Sequence, residues 1–303
     1  MATLSTTMTR HARPDTAGRR RAVDALMTGV LWAAALSIVL LLAFFIGYLV
    51  YLGAPAISWH FLTAPPSEIE AGGGIGPEIF NSFYILILTL LFTTPIATAG
   101  GIYLQEYARP GLFTNAVQFC AESLATIPSI VMGLFGLLIF VTYLHWKFTA
   151  IGGALTLTIL NLPALMRVTQ EALQAVPGAY REGSMALGAT RWQTIRRVVL
   201  PSAIPALTTG IVLIAGRIFG ETAALIFTAG VSVSAGRSAY DFSLFHQAET
   251  LSVHLWYTHS EGLIPDATQV GNGSALVLLA MVLIFNLSAR LLGRRLSKRL
   301  TGK

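Results

Sequence analysis

The stretch ALMTGVLWAAALSIVLLLAFFIGYLVYL, residues 25–52, decides the class of fold. It is 28 residues long, and no charged residue occurs between Asp24 and Glu68. A helix needs about 20 apolar residues to cross a bilayer. A secretory signal has an apolar run of only about 7–15 residues, so this one is read as a retained span. Working outward, five more apolar stretches follow: 79–104, 123–144, 148–166, the run after Pro201 to about Ala229, and 274–289. Lipid offers the backbone no hydrogen bonds, so spans are helices or closed barrels. These runs are too long and too evenly apolar for barrel strands, which alternate over about 10 residues. The expected fold is an all-α integral membrane protein of six transmembrane helices.

Composition agrees. Of 303 residues, 54% are hydrophobic and 11% are charged, where soluble domains carry about a quarter charged. The mean hydropathy is +0.67. Disorder, a collagen-like fibre and a disulfide scaffold are excluded, the last because Cys120 is the sole cysteine. A net charge of +6 would suggest nucleic acid in a soluble protein. Here its placement explains it. With the N-terminus inside, 17 of the 20 Lys and Arg lie in inner segments, Lys147 and Arg237 lie outside, and Arg217 lies within a span. Positive residues mark the cytoplasmic side, so both termini are expected there. Residues 1–22 are expected to be a disordered cytoplasmic tail, and 23–300 one membrane domain. Its outer loops are placed at about 53–78 and 230–273.

The inner segment 179–201 has internal order. A short helix is expected from Ala179 to Leu187, interrupted by Gly188. Thr190 and Gln193 have the spacing of a capping box, so a second helix starts there. Pro201 is expected to break or kink the chain as it re-enters the membrane. Glu182, Gly188 and Leu200-Pro201 are in register with the EAA loop of bacterial ABC-importer permeases, which this segment resembles. Gly183 and Ser184 stand where the loop has alanines, and Val198 where it has Ile. Glu171-Ala172-Leu173 is a decoy with no glycine at the required distance. The resemblance implies that Glu182, Gly188, Leu200 and Pro201 belong to a coupling element docked on a cytoplasmic ATPase. The chain has no Walker-A motif of its own.

In the fifth span, Gly216-Arg217-Ile218-Phe219-Gly220-Glu221-Thr222 puts two charges where lipid least tolerates them. On one continuous helix Arg217 and Glu221 share a face, and Gly216 and Gly220 permit close helix contact. A structural ion pair is one reading and a substrate site is the other. Arginine presents a planar fork of donors suited to an oxyanion. Glu221 adds an acceptor, useful only against a substrate that carries a proton, as phosphate does near neutral pH and sulfate does not. The run GRIFGETAAL at 216–225 resembles the motif of permeases of the phosphate-specific ABC importer. So do GGIGP at 73–77, IYLQEYA at 102–108 and IPSIVMGLFG at 127–136. LSVHL at 251–255 resembles the A-type (PstA) of the two subunits.

Other features carry less. Glu106 and Glu122 are expected to be solvated at the inner ends of their spans. Asn161-Leu162-Pro163 suits a kink or packing in the fourth span. His246, His254 and His259 are irregularly spaced, and no metal site is expected. No arrangement suggests catalysis.

The resemblance implies a phosphate-importer permease that lines the pathway with Arg217, Glu221 and Thr222. It implies a second homologous permease, two ATPase subunits using ATP and Mg, and an external phosphate-binding protein. This chain is expected to bind no cofactor, and its localisation is expected to be the bacterial inner membrane. Permeases for sulfate, molybdate or phosphonate, a secondary transporter, and an intramembrane enzyme stay open as alternatives.

Overall fold

The computed structural model describes residues 16–67, 70–232, 240–262 and 264–301, and no strand occurs among them. The chain divides into two units, residues 1–51 and 52–303.

The first unit is described by α1 (Thr16–Gly53), whose last two residues belong to the second. From Ala25 onward it is apolar on every side, as a helix solvated by lipid should be. It starts at Thr16, within the segment expected to be a tail. Residues 1–15 lie outside the described residues.

The second unit is built on α3 (Gly76–Ile102) and α6 (Ala150–Gln174), its central pair. Thr149 caps α6, its hydroxyl accepting the Gly152 N–H at 3.2 Å. At Gly101 the two helices touch so closely that a Cβ would lie 2.6 Å from Thr169 Cβ. In lipid, where burial gains little from water, such close packing of small residues holds helices together. Ile85 and Leu86 of α3 and Leu157 and Leu165 of α6 form the centre of the core. Ahead of α3, the short α2 (Trp59–Thr63) is capped by Ser58.

Three spans differ from the sequence expectation. The third is not one straight helix. α4 (Leu112–Thr126) and α5 (Ser129–Gly136, continued by a wide turn Leu137–Tyr143) meet at a bend of 102°. Pro128 lacks an N–H and disfavours helix at the residue before it, so Ile127 is extended. The fifth span, α9 (Leu200–Phe219), stops ten residues short of Ala229 and is followed by a separate turn, α10 (Ala223–Ile226). The last, α12 (Ala267–Thr301), begins before residue 274. The segment expected to be an outer loop holds a helix of its own, α11 (Leu251–Ser260). Arg237 lies outside the described residues. Among the described residues, five single helices are long and apolar enough to span a membrane, and six spans result if the bent pair counts as one.

Candidate functional site

The 179–201 segment contains a helix–turn–helix. α7 (Gly178–Ala186) and α8 (Arg191–Thr194) flank a turn in which Gly188 has φ +85°, a conformation that glycine takes without strain. The capping box forms as the spacing predicts. Thr190 Oγ1 accepts the Gln193 N–H at 3.3 Å, and Gln193 Oε1 accepts the Thr190 N–H at 2.9 Å. Ser184 and Thr194 hydroxyls, 2.9 Å apart, tie the two helices. Pro201 does not break the chain. A wide helical turn, Ile195–Val199, precedes it, and α9 continues through it. Glu182 is exposed on α7, beside exposed Tyr180, Met185 and Leu187.

Arg181 fixes this loop to the membrane core. Its guanidinium donates to Glu106 Oε1 at 2.7 Å and to the carbonyls of Leu173 and Val176 at 2.8 Å each. Leu173 lies in the last turn of α6 and Val176 just past its end, while Glu106 lies in the wide turn Tyr103–Tyr107 that ends α3. One side chain therefore joins three elements. This corrects the expectation of a solvated Glu106, which is 7% exposed. Burying a carboxylate is costly without a partner, and the fork of Arg181 supplies one.

At the other end of α9, about 30 Å away for 20 residues at 1.5 Å each, lies the 216–225 run. Arg217 and Glu221 do not share one helical face. Gly220 ends α9, its N–H bonding the Arg217 carbonyl at 3.2 Å, and the chain turns before α10. Glu221 Oε1 instead accepts the Ala224 N–H at 3.4 Å, and the Thr222 carbonyl accepts the N–H groups of Leu225 and Ile226. Among the described residues, Arg217 is exposed and makes no side-chain hydrogen bond or ion pair. Among the described residues, Arg217 and Glu221 form no ion pair with each other. Gly216 packs on α12, where a Cβ would approach Asn286 within 3.2 Å. The α10 turn sits against α5, where a Cβ on Gly133 would lie 2.9 Å from Ala224 Cα. Ser252 of α11 donates to the Glu221 carbonyl at 2.9 Å.

Comparison with known proteins decides the family. Residues 97–302 match the model for the binding-protein-dependent transport system inner membrane component. The chain belongs to that family. The permease is 44% identical over 290 residues to the probable ABC transporter permease protein YqgI of Bacillus subtilis, covering 93% of this chain and 99% of that one. It is 34% identical over 231 residues to the phosphate transport system permease protein PstA of Xylella fastidiosa, covering 76% and 77%. A structure of a bacterial alginate ABC transporter matches with a TM-score of 0.68 at 17% identity, over 92% of this chain and 98% of that one. That likeness speaks for the fold. The permease is PstA-like and a multi-pass protein of the bacterial inner membrane.

The structure thus brings 127–136 and 216–225 of the permease together, and places 179–201 at the far end of α9. Sequence reasoning missed Arg181, because its partner is 75 residues away. It also missed a cluster in which His254 meets Glu249 at 3.1 Å, with Glu78 of α3 beside them. Burial opposes protonation of His254. The Glu249 hydrogen bond and the charges of Glu249 and Glu78 outweigh it, and the His254 pKa is raised.

Proposed function

We propose that this chain is a permease subunit of an ATP-driven importer of inorganic phosphate. The observation that carries the reading is Arg217, an exposed cation with no ion-pair partner among the described residues, near the end of the apolar helix α9 and beside its break. A bare guanidinium facing lipid costs roughly 2.5–3.5 kcal/mol on insertion scales, so that face belongs to a watery pathway or a partner. Its fork suits phosphate oxygens. The carboxylate of Glu221 and the hydroxyl of Thr222, four and five residues on, are an acceptor and a hydroxyl for a substrate that still carries a proton. The PstA relatives support this substrate over sulfate. Binding at such a site is weak, since conduction requires release.

A second homologous permease completes the pathway, two ATPases use ATP and Mg, one of them docked on the α7–α8 face of this chain, and an external binding protein delivers phosphate. Both termini face the cytoplasm. ATP-driven closure of the ATPases moves α7, and Arg181 and α9 carry that motion to the break at Gly220.

The test is uptake by proteoliposomes holding the whole complex. Wild type is expected to take up phosphate, with excess sulfate competing poorly. Arg217→Gln should assemble normally and lose most uptake. Unchanged uptake in Arg217→Gln, or equal competition by sulfate, would overturn the reading.

A further inference from the structure

Glu78, Glu249 and His254 are far apart in sequence yet face one another. One ligand atom from each lies within 4.8 Å of the other two. Their exposures are 0%, 3% and 6%. Among the described residues, neither buried oxygen of Glu78 has a hydrogen-bond partner. Further along α3, Asn81 is also buried and its Oδ1 also lacks a partner. At three residues' distance it shares the side of α3 that carries Glu78. Thr258 Oγ1 lies 3.4 Å from His254 Nε2, on the side of the ring away from Glu249.

We propose that this cluster binds one first-row divalent cation, Zn²⁺ or Mn²⁺. Two buried carboxylates converge on one imidazole, and among the described residues neither oxygen of Glu78 accepts a hydrogen bond. A divalent ion balances both charges at once, which removes the main cost of burying them. The donors are two carboxylates and one imidazole without a thiolate, a set suited to borderline and hard first-row ions. Thr258 then accepts the Nε2 proton and leaves the Nδ1 lone pair for the metal, the second partner that ligating histidines usually have. Ligands about 2.1 Å from one ion stand at most about 4.2 Å apart, so small rotamer shifts close the site.

The ion would act as a staple. It ties the start of α3 to the start of α11. That helix already bonds α3 through Leu251 N–H to Ser82 at 2.9 Å, and reaches the Glu221 carbonyl through Ser252. The metal therefore holds the strut behind the broken fifth span. It rests on this geometry alone and not on the identity of the substrate.

The experiment uses the tag-free, detergent-purified complex from cells grown with Zn²⁺ and Mn²⁺. Elemental analysis should find about one equivalent of Zn or Mn per chain. A chelator should lower the melting temperature, and either ion alone should restore it. Glu78→Gln and His254→Ala should each lose the metal. Wild type that holds no stoichiometric metal, takes up neither ion and melts identically with chelator would overturn the proposal and leave a cluster that holds protons only. Metal retained in full by both variants would overturn it equally. The wild-type measurements decide the matter even if a variant fails to assemble.

Discussion

Arg181 ties the helix–turn–helix to the ends of α3 and α6, a link that no residue read from spacing supplies. It satisfies a nearly buried carboxylate and two helix-end carbonyls. Arg181→Ala leaves Glu106 buried and unpaired, which costs about 3 kcal/mol, the lower end for a broken buried pair because Arg181 is itself partly exposed. Lysine should not rescue it, since a point charge cannot span three acceptors. Thermal melting of Arg181→Ala and Arg181→Lys complexes checks both expectations. Gly188 makes a different demand. No atom would lie within 4 Å of its Cβ, so only its φ of +85° opposes a side chain. Gly188→Ala should therefore cost about 1–2 kcal/mol, with Gly188→Asn closer to wild type. Co-purification of the ATPase with each variant reads the consequence for docking. Equal docking by wild type, Gly188→Ala and a bulkier Gly188→Val would remove this turn from the coupling surface. The glycine was legible in the sequence because its meaning is local. The partner of Arg181 was not, because nothing in a linear pattern pairs residue 106 with residue 181.

Among elements, the broken helices matter most. α5 and α10 are short pieces that follow a proline bend and a glycine stop. They touch at Gly133, where even a methyl group meets the backbone of α10. Gly133→Leu should force them apart at about 1–3 kcal/mol. Such a complex should still carry its ATPases, because α7 and α8 are remote along α9, yet lose uptake. Paired measurements of co-purification and transport separate this from a general folding defect. The hydropathy pattern shows apolar length and is blind to direction, so it merged α9 with α10 and straightened α4–α5. Pro128 and Gly220 were visible as breakers. Their consequences depend on what the freed backbone groups bond next, and that is a tertiary matter. Gly220 turns because its N–H takes the Arg217 carbonyl, and Pro128 because Ile127 extends.

For the whole molecule, orientation rests on the distribution of Lys and Arg. A fluorescent protein fused after Lys303 should fluoresce, and alkaline phosphatase fused there should be inactive, as a cytoplasmic C-terminus requires. Active phosphatase at that position would reverse the topology and put α7 on the wrong side for any ATPase. A whole-molecule view also accounts for the exposed apolar faces of α4 and the outer sides of α3, such as Phe113, Phe119 and Leu91. In a membrane these need lipid or a partner subunit rather than water.

By itself the sequence determined the class, the approximate spans, the helix–turn–helix with its cap, and the family. Each of these depends on composition or on spacings within about two turns, which physics reads locally. Tertiary structure alone decided where the spans break, that Arg217 and Glu221 part company, that Arg181 joins three elements, and that Glu78 meets Glu249 and His254. Those depend on contacts between residues separated by up to 176 positions, and no local pattern encodes which distant helix supplies a buried charge with its counter-charge.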